Sequence, residues 1–294
     1  MWVRSNSQVS DNIFQITTPV SSHFLICGID KCALVDSGVL SLGILDAVKS
    51  ILGERPLDYL LITHGDADHV GGIAELRKAC PQLTVVSGKL LKEKLEDTEL
   101  LNQLYSRNHA IAFSFEAQGI IPKGDWVSGT RIDKVLEDSE SLDLGNNLTV
   151  RAYTFPGHTL EQMGYYVASD KALAAGEAFG HYSGKNKEIP AFRFYSEYLD
   201  SLNKASKLSV RLLSLPHNGV LTGDLGLKFL YKSIASAQAF SEQVKERIDG
   251  GETVDEIYAG ILQEWKAEDI APDGPFVLEQ GTILRDMITS LTGK

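Results

Sequence analysis

The most constraining feature of this sequence is the segment Thr63–Gly72, which carries four potential metal ligands directly after an apolar run. Two imidazoles, His64 and His69, alternate with two carboxylates, Asp66 and Asp68. A strand end followed by a helix start can fold this spacing into one cluster, and such a turn can hold two metal ions. The alternative is a solvated acidic loop with two histidines, but random composition produces this spacing on the order of once in a few thousand chains.

Three further potential metal ligands follow strand-like segments later in the chain. His158 lies in a Pro-Gly turn, Glu177 ends a short apolar run, and His217 ends another. In an open α/β sheet the carboxyl ends of the strands form the functional rim, so these distant side chains can converge there.

The full pattern resembles the metallo-β-lactamase-fold hydrolase superfamily, and the resemblance covers most of the chain. It is carried by Phe14–Ile16, Leu34–Gly38, His64–His69, Pro156–Thr159, Gly176–Glu177 and Pro216–Gly219. The resemblance implies an α/β fold, a four-layer αβ/βα sandwich with its metals in a cleft at the sheet edges.

The resemblance also implies a ligand set for two divalent ions. One metal would be held by His64, Asp66 and His158. The other would be held by Asp68, His69 and His217. Glu177 would bridge the two ions.

Two members of this set depart from the family pattern, which usually has histidine in place of Asp66 and aspartate in place of Glu177. Oxygen ligands shift the preference from zinc toward iron or manganese, so we expect zinc or iron, with manganese as a further candidate. An acidic residue at Asp66 is similar to the di-iron flavoproteins and to the hydrolase domain of competence DNA-uptake proteins. The longer Glu177 can bridge both ions or bind only one.

The implied function is a dinuclear metallo-hydrolase that cleaves a small ester, thioester or lactone with a metal-bound hydroxide. Asp68 is the candidate catalytic residue, which would orient the hydroxide and carry a proton to the leaving group. Asp36 and Thr63 can fix ligand orientation, although a plain turn role for Asp36 is equally open. Two alternatives remain: a phosphodiesterase or nuclease of the same fold, and a signalling or binding protein that retains the metal site.

Candidate substrate-binding residues are His181, Arg193 and Tyr195. A surface position explains His181 as well, and packing at a helix start explains Arg193 and Tyr195 equally. His23 and His109 have no visible partner in the sequence and are assigned to structure.

Composition restricts the partners. The chain of 294 residues is 43% hydrophobic and carries a net charge of −11, so we expect a small-molecule substrate and no nucleic acid. No apolar run reaches the length of a membrane span or a signal peptide, which predicts a cytoplasmic protein with no membrane partner. Oligomeric state stays open. The three cysteines are interpreted as reduced core residues.

The order of elements predicts a metallo-β-lactamase domain over residues 1–222 and a helical C-terminal extension over 223–294. We interpret 88–129 as an insertion over the metal cleft, with a peripheral helix as the alternative. Within it, residues 89–105 are predicted to form one amphipathic helix and 109–129 a looser segment. The last clear strand is predicted at 211–215.

Overall fold

The structure, a computed structural model, describes residues 1–182, 188–268 and 276–292. The chain divides into two compact units, each built from several stretches of sequence. The first comprises Met1–Thr154, Glu161–Gly176 and Ser209–Gly226, and the second comprises Phe155–Leu160, Glu177–Leu208 and Leu227–Lys294.

The strands form two large sheets in the first unit and a short hairpin in the second. In chain order they are β1 (Trp2–Val3), β2 (Ser7–Gln8), β3 (Ile13–Thr17), β4 (Ser22–Cys27), β5 (Cys32–Val35), β6 (Tyr59–Leu61), β7 (Thr84–Ser87), β8 (Lys134–Val135), β9 (Ser141–Asp143), β10 (Thr149–Thr154), β11 (Met163–Val167), β12 (Ala172–Ala174), β13 (His181–Tyr182), β14 (Glu188–Ile189), β15 (Leu212–Leu215) and β16 (Gly219–Thr222).

One large sheet has the order β2-β3-β4-β5-β6-β7-β8, and the other has the order β1-β16-β15-β12-β11-β10-β9. From β5 to β8 the first sheet is parallel, so the carboxyl ends of β5 and β6 lie at the same edge. This edge receives the segment that begins at Thr63. The prediction of 211–215 as the last strand was wrong, because β16 pairs with both β15 and β1. Its apolar part, Val220–Leu221, is too short to stand out in the sequence.

The core of the first unit lies between the two sheets. Phe24 and Ile26 from β4 pack in one buried cluster with Val150 from β10 and Tyr165 from β11. Val150 is buried and the next residue, Arg151, is exposed, which is the alternation of a strand with one face on a core. Each large apolar side chain buried here contributes about 1.5–3 kcal/mol of stability.

The helices of the first unit are α1 (Ile44–Leu52), α2 (Ala67–Val70), α3 (Ile73–Ala79), α4 (Lys89–Lys94), α5 (Thr98–Ser114) and α6 (Lys123–Gly129). The predicted single helix over 89–105 was wrong, because the Asp97 carboxylate accepts hydrogen bonds from the amides of Glu99 and Leu100 and starts a new helix. Residues 109–129 are also more regular than predicted, since α5 continues to Ser114 and α6 follows it.

The second unit contains the β13–β14 hairpin and the helices α7 (Tyr195–Ser206), α8 (Asp224–Asp249, mostly in this unit), α9 (Val254–Ala267) and α10 (Phe276–Leu291). Helix α9 begins with a reciprocal cap between Thr253 and Glu256. Helix α10 packs on α7 and α9, and the predicted helical C-terminal part is confirmed. Among the described residues, no helix has both the length and the apolar character needed to cross a bilayer.

Candidate metal centre

Four of the five candidate ligands in the first unit lie between the end of β6 and the end of α2, and the fifth, His217, follows β15. His64 follows the strand, Asp66 precedes the helix, and Asp68 and His69 lie in its single turn. The side chains of His64, Asp68 and His69 are buried, whereas that of Asp66 is 31% exposed. The sequence therefore folds as expected locally, with a strand end and a helix start bringing four ligand side chains into one turn.

Asp68, His69 and His217 place one ligand atom each within 4.8 Å of one another. The Oδ2 atom of Asp68 lies 3.6 Å from Nε2 of His69 and 3.4 Å from Nε2 of His217. Two ligand atoms on a tetrahedral metal with bonds of about 2.1 Å lie about 3.4 Å apart. The three side chains thus have the spacing of ligands to a single ion.

The same Oδ2 atom of Asp68 is buried and accepts no hydrogen bond from any residue that the structure describes. A buried carboxylate oxygen without a donor or a cation costs substantial free energy. A bound cation removes this cost, so the chemistry of the ligand set fits a metal ion.

His64 lies directly beside His69, with ring centroids 4.0 Å apart. Its Nε2 atom is 3.6 Å from Oδ2 of Asp66, which is again the spacing of two ligands. Its Nδ1 atom lies 3.0 Å from Oγ1 of Thr63, and because that hydroxyl donates to Asp36, it accepts from the imidazole. A metal ion at His64 would therefore be bound through Nε2.

Asp36 fixes the orientation of this turn. It has a left-handed backbone conformation with φ of 59°, and it accepts hydrogen bonds from the Thr63 amide at 2.7 Å and from Nδ1 of His69 at 2.9 Å. Nδ1 of His217 is likewise 3.0 Å from the carbonyl oxygen of Val20. In both histidines the Nδ1 contact leaves Nε2 facing Asp68, the arrangement found around metal-ligating imidazoles. Asp36 therefore orients the His69 ring in addition to forming a turn.

Three polar contacts to this turn were missed by the sequence analysis. Asn108 in α5 is fully buried and donates to the carbonyl of Ala67 at 2.7 Å. Trp126 in α6 donates to the carbonyl of Gly71 at 2.7 Å. Gln162 donates to the carbonyl of Ala175 and reaches within 3.5 Å of Nδ1 of His64. Helices α5 and α6 therefore hold the two ends of α2, and no signal in a single sequence identifies these residues.

The other two candidate ligands, His158 and Glu177, belong to the second unit. Both are buried, and their ligand atoms lie within 4.8 Å of each other. Nδ1 of His158 is 2.9 Å from the carbonyl oxygen of Ala191, so a metal ion at His158 would be bound through Nε2. The preceding Gly157 has φ of 141° and packs against the backbone of Tyr198, so a side chain does not fit there.

The three candidate substrate-binding residues have different surroundings in the second unit. Arg193 donates to the carbonyl of His158 at 3.0 Å and to Asp286 at 3.1 Å. Tyr195 begins α7 and its ring packs 5.2 Å from that of Phe192. His181 lies in β13, half-buried. Arg193 thus contacts a candidate ligand, His158.

The family model of the metallo-beta-lactamase superfamily matches residues 17–217. The chain belongs to this superfamily. The expected fold, including the helical C-terminal part, is confirmed, and the described His, Asp and Glu groups could bind the divalent metals typical of the superfamily.

Similar proteins and a similar solved structure agree with this assignment. A metallo-β-lactamase fold-containing protein, ST1585 of Sulfurisphaera tokodaii, is 25% identical over 81% of this chain and 86% of its own length. The solved structure of ST1585 superposes with a TM-score of 0.62 over 97% of this chain and 100% of that one, at 20% identity. The putative diflavin flavoprotein A 3 of Nostoc sp. is 27% identical over 73% of this chain but only 34% of its own length. Glyoxylase B2 of Dictyostelium discoideum is 24% identical over 51% of this chain and 48% of its own length.

Proposed function

We propose that this protein is a dinuclear metallo-hydrolase that cleaves a small ester, thioester or lactone. The observation that carries the proposal is the convergence of Asp68, His69 and His217, with the Nδ1 atom of each histidine beside an acceptor. By the family pattern, Asp68, His69 and His217 would hold one ion, His64, Asp66 and His158 would hold the other, and Glu177 would bridge the two. When bound, two such ions would lower the pKa of water to about 7 and polarise the substrate oxygen, so no protein nucleophile is needed.

Asp68 is the proposed catalytic residue. Its carboxylate lies beside the imidazoles of His69 and His217, where it can orient the attacking water and accept its proton. The same carboxylate can then deliver that proton to the leaving group. His69 and His217 are held with their Nδ1 atoms on Asp36 and Val20, so they are not the proton carriers.

For the substrate, the similarity to glyoxylase B2 favours a thioester. Arg193 is proposed to bind an acidic or carbonyl group of the substrate, because its guanidinium lies beside His158 and remains about a third exposed. His181 and Tyr195 are proposed as further contacts to the substrate. For the metals, the acidic Asp66 shifts the preference from zinc toward iron or manganese, so zinc, iron and manganese are the candidates.

The proposed function is tested by assaying metal-loaded protein against a thioester, a lactone and bis-p-nitrophenyl phosphate. Turnover of the thioester or lactone, lost on chelation and restored by iron or zinc, supports the proposal. Preferential turnover of the phosphodiester replaces it with the nuclease or phosphodiesterase alternative, although the net charge of −11 disfavours a polyanionic substrate. Absence of any turnover by metal-loaded protein favours a binding or signalling role. The division at residue 222 and the cytoplasmic location stay predictions.

A further inference from the structure

Cys27 and Cys32 lie directly opposite each other on the antiparallel strands β4 and β5. The turn between them is closed by a hydrogen bond from the Gly28 amide to the Lys31 carbonyl at 2.9 Å. The amide of Cys27 instead donates to Asn12, and that of Cys32 donates to Asp58. Since neither cysteine amide bonds across the pair, this is a non-hydrogen-bonded position of the ladder.

Positions of this type bring opposite Cα atoms to about 4.5 Å and their side chains onto the same face. A disulfide needs Cα atoms about 4.4–6.8 Å apart, so the backbone already has the required separation. The two thiols therefore extend from directly opposite positions on one face of the sheet. No rearrangement of the sheet is needed for the sulfur atoms to bond.

We infer that Cys27 and Cys32 form a redox site, a dithiol that small-molecule disulfides such as oxidised glutathione convert to a cross-strand disulfide. In the first step the sulfur of half-buried Cys27 loses its proton and attacks one sulfur of the small disulfide, forming a mixed disulfide and releasing one thiol. In the second step the sulfur of buried Cys32 loses its proton and attacks Cys27, releasing the second thiol. One small disulfide is thereby reduced to two thiols while the protein dithiol is oxidised.

The surroundings of Cys32 suit it to the second step. The hydrogen bond from Cys27 lowers the pKa of Cys32, burial opposes this effect, and the Arg55 cation reinforces it. The same hydrogen bond, together with burial, raises the pKa of Cys27. The raised pKa of Cys27 makes the first step slow. In the mixed disulfide Cys27 has no proton left to donate, but the Cys32 sulfur lies directly opposite it and the Arg55 cation still lowers the pKa of Cys32. The second step is therefore fast because it is intramolecular, and the disulfide accumulates rather than the glutathione adduct.

Cys80 provides an internal control, because it is also half-buried and reduced but belongs to the end of α3. The experiment treats metal-loaded native protein with glutathione buffers of increasing oxidised fraction, quenches with acid and alkylates in denaturant. Peptide mapping by mass spectrometry then locates the modified cysteines. The wild type and Cys80→Ser should lose the labels on Cys27 and Cys32 together, with a peptide lighter by two hydrogens.

In Cys32→Ser the glutathione adduct on Cys27 should rise at least about tenfold over wild type, because the neighbouring thiol that displaces it is gone. Cys27→Ser should leave Cys32 reduced, since that sulfur is buried. Circular dichroism checks that each variant is folded. If a variant is unfolded, the wild-type result alone decides the inference. The inference is overturned if Cys27 and Cys32 stay reduced at ratios that modify Cys80, if glutathione remains on Cys27 in the wild type, or if the disulfide involves Cys80.

Discussion

Asp36 and His69 are joined by a hydrogen bond of 2.9 Å between Oδ2 and Nδ1, although they are 33 residues apart in the sequence. The same carboxylate accepts from the amide and the hydroxyl of Thr63. One buried acid thus sets both the ring orientation of a ligand and the start of the ligand turn. This contact makes Asp36 a positioning residue of the candidate metal centre.

Asp36→Asn should lower metal affinity by about 10- to 100-fold, because an amide cannot accept from both the Thr63 amide and His69. Asparagine tolerates the left-handed backbone of this position, so the change is in hydrogen bonding alone. Competition with a chromophoric chelator measures the affinity. Asp58→Asn is the matched control, since that carboxylate also accepts from a backbone amide, that of Cys32. Equal affinities for the two variants would contradict the role given to Asp36.

Asp68→Asn should reduce kcat by about 10²–10⁴-fold, because the amide can still contact a cation but cannot carry a proton. Metal content measured on the same samples separates loss of proton transfer from loss of the ion. A variant that retains its metal and its full kcat would exclude Asp68 as the proton carrier.

The ligand turn was predictable because its residues are consecutive and their spacing matches a strand end and a helical turn. The roles of Asn108 and Gln162 could not be predicted, because each side chain contacts residues far away in the sequence. Asparagine and glutamine are also common in exposed helices and turns, so the residue type gives no signal. The helix break at Asp97 was missed for another reason. The amphipathic pattern on both sides of it is continuous, and only the capping contacts reveal the interruption.

His23 predicts a pH dependence of stability. Burial lowers the pKa of His23 from 6.5 to about 4, with Asp36 opposing this shift. The unfolded chain therefore binds a proton between pH 6.5 and 4 that the folded protein does not, and stability falls as pH decreases through this window. A shift of this size corresponds to about 3 kcal/mol. Urea unfolding at pH 7 and pH 4 should show a smaller loss in His23→Gln than in wild type. His109→Gln, which changes an exposed histidine, should behave like wild type.

Asn108→Ala should lower the free energy of unfolding by about 1–3 kcal/mol, because it leaves the buried carbonyl of Ala67 without its donor. The variant should also lose metal faster on dilution into chelator, since Ala67 begins the helix that carries Asp68. Urea unfolding and chelator kinetics check the two effects. Asn102→Ala on the same helix is the control, because Asn102 is only half-buried. Identical results for the two variants would contradict a stabilising role for the hydrogen bond from Asn108 to Ala67.

Asp66→His tests the acidic departure from the family pattern. An imidazole replaces an anionic oxygen beside His64, so protein expressed under one metal regime should contain a higher ratio of zinc to iron or manganese. The ligand set also becomes less negative by one charge, which favours ionisation of the attacking water at lower pH. The acid limb of the pH–rate profile should therefore move down. Elemental analysis and kcat/KM measured across pH report the two effects independently. An unchanged metal ratio together with an unmoved acid limb would mean that Asp66, whose side chain is partly exposed, is a solvated turn residue. The set of Asp68, His69 and His217 would then be the one secure candidate for a metal site among the described residues.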